Sequence, residues 1–133
     1  MRPASVLCYG HDTNLIKTRL WLLEQAGCVA RAASVEAEAH SNLLHHATDI
    51  FVLCQSLSEN ECRAVADFAQ QHTPAARCLL LYMRSDKTRL DREHVALDVD
   101  LGPAVFLRTV AFMLPAGVAW HPQTSSGLHA AAN

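Results

Sequence analysis

The stretch Asp49-Ile50-Phe51-Val52-Leu53-Cys54-Gln55-Ser56-Leu57-Ser58 decides the fold of this chain. Its five consecutive apolar residues, Ile50 to Cys54, include β-branched and aromatic side chains, which is typical of a strand buried on both faces. Ser58 and Glu61 then have the Ser-x-x-Glu spacing of a capping box, so we expect a helix to begin here. A buried strand, a short loop and a helix form one unit of a parallel α/β sheet. Cys54 lies at the carboxyl end of that strand, where such sheets bind their ligands.

The same alternation of apolar runs and helical patterns continues on both sides of this unit. The predicted strands are Ser5–Tyr9, Cys28–Ala33, Asp49–Cys54, Arg77–Met83 and Val95–Asp100. The predicted helices are Leu15–Gly27, a helix that Ser34 caps and that continues to Ala47, Glu59–His72, a short weak helix within Arg84–His94, and Ala104–Leu114. This alternation predicts a doubly wound, flavodoxin-like sheet of five parallel strands with helices on both faces. Right-handed crossovers favour the strand order 2-1-3-4-5.

Length and composition predict a single domain over residues 4–114 of the 133. Residues 115–133 contain Pro115, Gly117 and Pro122 and have no sustained period, so we expect an irregular C-terminal extension. Trp120 in this extension could fold back onto the domain.

The charge and the cysteine pattern narrow the function classes. A formal net charge of -2 gives no basic field for nucleic acid or an anionic membrane. No apolar stretch approaches the roughly 18 residues of a membrane span, and the N-terminus has no apolar signal segment. The odd count of five cysteines without a CxxC pair favours reduced thiols, so we expect a soluble, cytoplasmic protein.

No motif indicates a cofactor, a metal centre or a catalytic site. Gly10 stands alone, without a nucleotide-binding glycine fingerprint. His40, His45 and His46 lack the i, i+4 spacing of a helical metal site. No Cys-x5-Arg phosphate loop follows Cys8 or Cys54. We therefore expect no enzyme activity, no cofactor and no metal.

The order and lengths of these elements resemble the response-regulator (CheY-like) receiver domain over residues 4–114. The resemblance rests on the apolar strand before Gly10, on the third strand that Asp49 begins, and on the Gly102-Pro103 step before the last helix. This step looks like the family's Lys-Pro junction without the lysine. The resemblance implies a bacterial signalling module of the two-component, phosphorelay type.

Receivers phosphorylate an aspartate that ends strand three and bind Mg²⁺ with this residue and an acidic pair after strand one. A Thr or Ser ends their strand four, and a Lys ends strand five. The matching positions here are Gly10 and His11 (or His11 and Asp12 after a slip of one) for the acidic pair, Cys54 for the acceptor, Tyr82 for the hydroxyl and Gly102 for the lysine. Mg²⁺ prefers carboxylate and water oxygens, so the resemblance implies a degenerate pseudo-receiver that does not accept aspartyl phosphate.

Two alternatives stay open at this point. Cys54 with His11 could form a thiol-based redox or metal sensor, because a histidine and helix N-termini can lower a thiol pKa. Against this, a small, soft residue could simply fill the space of a lost carboxylate. A weaker alternative is a phosphorylatable response regulator with an atypical site.

The last helix is apolar nearly all round, so it must bury more than one face. By resemblance, the face around this helix is the place where receivers form dimers and contact outputs. We therefore expect a stand-alone module that binds a protein partner or forms a homodimer through Phe106, Val110, Phe112 and Met113. The C-terminal extension around Trp120 is an equally good cover for this helix.

Overall fold

The computed structural model describes residues 2–83 and 95–120. The strands in this part of the chain are β1 (Arg2–Pro3), β2 (Ser5–Tyr9), β3 (Val29–Ala33), β4 (Ile50–Leu53), β5 (Arg77–Tyr82), β6 (Val95–Asp98) and β7 (Val118–Ala119). The helices are α1 (Thr13–Gln25), α2 (Glu36–His45), α3 (Glu59–His72) and α4 (Pro103–Met113). The helix predicted within Arg84–His94 lies outside the described residues. None of the described helices is long and apolar enough to cross a membrane.

The main sheet has five strands in the order β3-β2-β4-β5-β6, and every neighbouring pair is parallel. Since β2 is the first predicted strand, this arrangement is the predicted order 2-1-3-4-5. The prediction of a doubly wound, flavodoxin-like α/β fold is confirmed.

The strands alternate their side chains between two core layers, one on each face of the sheet. Val6 and Cys8 of β2 belong to the layer under α1 and α4. Leu7 and Tyr9 belong to the layer under α2 and α3. All four residues of β4 are buried, which explains why its sequence is an unbroken apolar run.

Helix ends follow local capping chemistry and correct several predicted boundaries. In α3, the Ser58 hydroxyl accepts from the Glu61 amide at 3.1 Å and Glu61 Oε1 accepts from the Ser58 amide at 2.8 Å, so the capping box is present. Helix α1 begins at Thr13 rather than Leu15 because the Asp12 side chain caps it. It ends before Gly27, whose φ of 90° suits the position after a helix.

The prediction that the Ser34 side chain caps α2 is wrong. Val35 occupies the cap position of α2, which has no side-chain cap, and the helix begins at Glu36. The Ser34 hydroxyl and amide both donate to Glu38 Oε1, at 3.0 and 2.8 Å. The described contacts of the Ser34 side chain are thus with the Glu38 carboxylate and not with a helix amide.

The two ends of the described part of the chain pair with each other in a small second sheet. Strand β1 pairs in parallel with β7, which lies beyond the predicted domain boundary at Leu114. Trp120 packs against the core layer under α1 and α4. Residues 121–133 of the predicted extension lie outside the described residues, and for them the irregular conformation stays a prediction.

Candidate functional site at the carboxyl edge of the sheet

Gly10 and Cys54 are adjacent at the carboxyl ends of β2 and β4. The Cys54 amide donates to the Tyr9 carbonyl at 2.9 Å, which joins the two strand ends. A Cβ added to Gly10 would lie 2.7 Å from Cys54 Cβ, 3.3 Å from its Sγ and 3.1 Å from Ser56 Oγ. Gly10 is therefore a packing requirement, because no side chain fits there unless its neighbours move.

The Cys54 thiol is enclosed, with only 2% of the residue exposed. Burial raises the pKa of this thiol to about 11, although the charge of the Arg19 guanidinium and a hydrogen bond from it act in the opposite direction. The protonated thiol is the dominant form at neutral pH, and it is a poor nucleophile and a poor metal ligand.

The His11 ring faces the start of α3 and the loop after β3. Its Nε2 lies 2.7 Å from Glu61 Oε2, and its Nδ1 lies 3.1 Å from the Ser34 carbonyl oxygen. The His11 amide donates to Ser56 Oγ at 2.8 Å. These are the hydrogen bonds of His11 in the part of the chain that the structure describes, and none of them reaches Cys54.

The two carboxylate oxygens of Glu61 make separate structural contacts. Its Oε1 completes the capping box with Ser58, and its Oε2 contacts His11. The hydrogen bond from the Ser58 amide, followed by that from His11, holds the pKa of the Glu61 carboxyl below its ordinary value. The ionised carboxylate thus ties the first loop of the sheet to α3.

The remaining receiver-like positions also have structural roles. The Asp12 carboxylate accepts from the Leu15 amide at 3.2 Å as the cap of α1. Tyr82 is half-buried at the end of β5. Gly102 precedes α4 with a φ of 88°, a conformation that favours glycine over the lysine expected in a receiver.

The donor set at this edge does not fit Mg²⁺. Asp12 supplies one carboxylate, the Glu61 carboxylate is already engaged by Ser58 and His11, and Cys54 supplies a buried, protonated thiol. Mg²⁺ requires hard oxygen ligands in octahedral geometry. Among the described residues, no group of three His, Cys, Asp or Glu side chains is arranged to hold a metal ion.

Three of the four partner-binding candidates on α4 lie inside the protein. Phe106, Val110 and Met113 are 5%, 0% and 1% exposed and belong to the core layer under α1 and α4. Phe112 is 84% exposed. The helix face predicted to bind a partner therefore packs mostly against the chain's own sheet. Of the four candidates, Phe112 is the residue that a partner can reach.

Sequence reasoning missed Arg19 and Ser56. Leu15, Arg19 and Leu22 of α1 have the spacing of one helix face. The sequence signal for Arg19 is therefore a charged residue on an otherwise apolar helix face. Ser56 gave no comparable signal, because its contact with the His11 amide depends on how two loops approach each other.

No protein-family profile matches the chain, and no curated protein sequence matches it. Among solved structures, the response regulator receiver protein from Sinorhizobium medicae WSM419 is similar, with a TM-score of 0.72 and 18% identity over 86% of this chain and 96% of that one. The chemotaxis protein CheY4 of Vibrio cholerae has a TM-score of 0.70 and 17% identity, covering 84% of this chain and 99% of that chain.

A third similar structure contains the histidine kinase ThkA in complex with the response regulator protein TrrA. It has a TM-score of 0.70 and 16% identity, covering 84% of this chain and 99% of that chain. At such low sequence identity, these structures establish similarity of fold only. The chemistry of the site in this chain has to be derived from its own residues. By strand order, helix placement and these similarities, the chain has the fold of response-regulator receiver domains.

Proposed function

We propose that this protein is a receiver-like signalling module that acts through protein contacts and does not accept aspartyl phosphate. The observation that carries the proposal is the close packing of Gly10 against Cys54. In a receiver these two positions belong to the acidic pair and the acceptor aspartate. Here the first has no room for a side chain, and the second has no carboxylate.

The lysine position supports the same proposal. The positive φ of Gly102 favours glycine, so the backbone before α4 is not suited to a lysine that would hold phosphoryl oxygens. Restoring an aspartate at position 54 alone would therefore leave both the Mg²⁺ ligands and the lysine missing.

The geometry argues against the thiol sensor. A sensor cysteine requires an accessible thiol with a lowered pKa, whereas burial raises that of Cys54. The ring of His11, the expected activating partner, is engaged by Glu61 and Ser34. Cys54 then serves as a small apolar residue that fills the strand end.

The proposed partners are proteins, including a second copy of this chain. One structure of similar fold contains a response regulator bound to a histidine kinase, so this fold provides a protein-binding surface. The net charge of -2 does not favour nucleic acid or membrane as partners. The five cysteines, which are buried and form no disulfide with one another, suit the reducing cytoplasm, where we place the protein, and we propose no enzyme activity for it.

Incubation with acetyl phosphate and Mg²⁺, followed by intact-protein mass spectrometry, tests this proposal. We expect no added phosphoryl group on the wild-type chain or on Cys54→Asp. A receiver of known activity, treated in parallel, controls for the phosphodonor. Labelling of the wild-type chain would establish the atypical response regulator instead.

A further inference from the structure

A cavity of about 180 Å³ lies between α1 and α4, on the side of the sheet opposite α2 and α3. Its wall combines α1, the ends of β5 and β6, and the start of α4. Leucine, valine, proline and phenylalanine side chains form most of this wall. A space of this size and composition fits the apolar part of a small molecule.

Arg19 supplies a positive charge to the wall of this cavity. Its Nη1 is enclosed by protein and has no hydrogen-bond partner in residues 2–83 and 95–120. The ion pairs in those residues do not include Arg19. An enclosed N–H group without an acceptor is unfavourable, so Nη1 can gain free energy from an anion in the cavity.

Asp98 lies in the same wall and limits the charge of that anion. Its Oδ1 accepts from the Asp100 amide at 2.9 Å, which fixes the carboxylate in the turn after β6. A fixed negative charge repels a doubly charged anion more strongly than a singly charged one. The wall therefore favours one carboxylate over inorganic phosphate.

We propose that this cavity binds a small apolar molecule that carries a single carboxylate. The carboxylate pairs with Arg19, and the apolar body lies against Leu97 and Phe106. Gly102 also lines the cavity, so the ligand contacts the turn that leads into α4. The cavity borders the carboxyl edge, since Arg19 also interacts with the Cys54 thiol, but its occupancy does not depend on whether the protein accepts phosphate.

An NMR titration of the full ¹⁵N-labelled chain with benzoate tests this site. We expect saturable shifts of the Val99 and Gly102 amides, with a dissociation constant of about 1 mM for so small a ligand. Benzamide has nearly the same shape without the charge, and it should bind about tenfold more weakly because the charge-assisted hydrogen bond to Arg19 is lost.

Variants of α1 distinguish the contribution of the Arg19 charge to binding from that of the cavity shape. Arg19→Gln should weaken benzoate binding about tenfold, while Lys17→Gln, which removes an exposed charge from the same helix, should leave it unchanged. Thr18→Phe places a large ring at the wall and should abolish binding, which keeps the test informative if Arg19→Gln does not fold.

Three results would overturn the proposal. The first is an absence of saturable shifts with benzoate. The second is equal affinity for benzoate and benzamide, or for the wild-type chain and Arg19→Gln. The third is tighter binding of inorganic phosphate than of benzoate at these amides.

Discussion

At the scale of single residues, the proposed lack of phosphorylation depends on the close packing of Gly10 against Cys54. The sequence places both residues at strand ends, because the apolar runs before them are short and unbroken. It cannot show that a Cβ on Gly10 would lie 2.7 Å from Cys54 Cβ, because that distance depends on how β2 and β4 align.

Gly10→Ala should lower the free energy of unfolding by about 1–3 kcal/mol, the usual cost of overpacking a filled site. The new Cβ meets Cys54 Cβ, so Cys54→Gly should recover part of this loss. Urea denaturation of the two single variants and the double variant measures the coupling between the positions.

Gly117→Ala is the control for this double-mutant cycle. Its φ of 86° makes alanine unfavourable, but nothing lies within 4 Å of the added Cβ. Cys54→Gly should therefore not rescue Gly117→Ala. Additive losses for Gly10→Ala and Cys54→Gly would contradict the packing account.

At the scale of secondary-structure elements, the sequence predicts most of the fold because periodicity and capping are local. The capping box of α3 and the burial of β4 follow directly from neighbouring residues. Strand β6 ends at Asp98 rather than Asp100 because residues 99–101 form a 3₁₀ turn that the Asp98 side chain caps.

The last helix shows where a local interpretation failed. Phe106, Val110 and Met113 are spaced four and three residues apart, which is one face of a helix, and this face lies in the core. Phe112 is off this face. Helical periodicity alone therefore distinguishes Phe112 from the other three residues.

Phe112→Ser should reduce self-association if α4 carries the partner surface. The side chain is 84% exposed, and an exposed aromatic residue of this kind is a common anchor at protein interfaces. Light scattering across a range of concentrations should show a dimer for the wild-type chain and a shift toward monomer for the variant.

Leu44→Ser is the matched control, because Leu44 is 54% exposed on α2. It should leave the mass in solution unchanged. An equal loss of dimer in both variants would indicate that removing any exposed apolar side chain weakens association. An unchanged dimer in Phe112→Ser would exclude this residue from the interface.

At the scale of the whole molecule, the first described residues are joined to the start of β4 in a way that the sequence does not predict. Arg2 donates to both carboxylate oxygens of Asp49, at 2.8 and 2.6 Å, and the Ser5 amide donates to the same carboxylate at 2.8 Å. The sequence indicates only that Asp49 begins a strand, because its partners are 44 and 47 residues away. Such distant pairing leaves no local sequence signal.

The Arg2–Asp49 pair should make stability depend on pH in the acid range. The hydrogen bond from Arg2 holds the pKa of the Asp49 carboxyl below its ordinary value. A depressed folded-state pKa contributes stability that is present above the ordinary value of about 3.9 and is lost as the pH falls through the folded-state pKa. Asp49→Asn should lower the free energy of unfolding at neutral pH. It should also reduce the loss of this free energy as the pH falls, as measured by urea denaturation at several pH values.

Arg63→Ala provides the control for this prediction. Arg63 pairs with Glu59 at 3.5 Å on the surface, where both side chains are more than half exposed. The loss of such a pair should change the stability little at any pH. A pH profile of Asp49→Asn that runs parallel to that of the wild-type chain would contradict the assigned role of Asp49.

The central claim is that the carboxyl edge of the sheet cannot hold the Mg²⁺ that receiver chemistry requires. Titration of the ¹⁵N-labelled chain with Mg²⁺, followed at the amides of Gly10, His11 and Cys54, tests this claim most directly. We predict no saturable shifts at these amides up to about 10 mM Mg²⁺, because the nearby carboxylates of Asp12 and Glu61 are engaged by protein groups. Among the described residues, no group of three ligands is arranged for a metal ion. Saturable shifts centred on these three residues would contradict the account and would restore the phosphorylatable receiver.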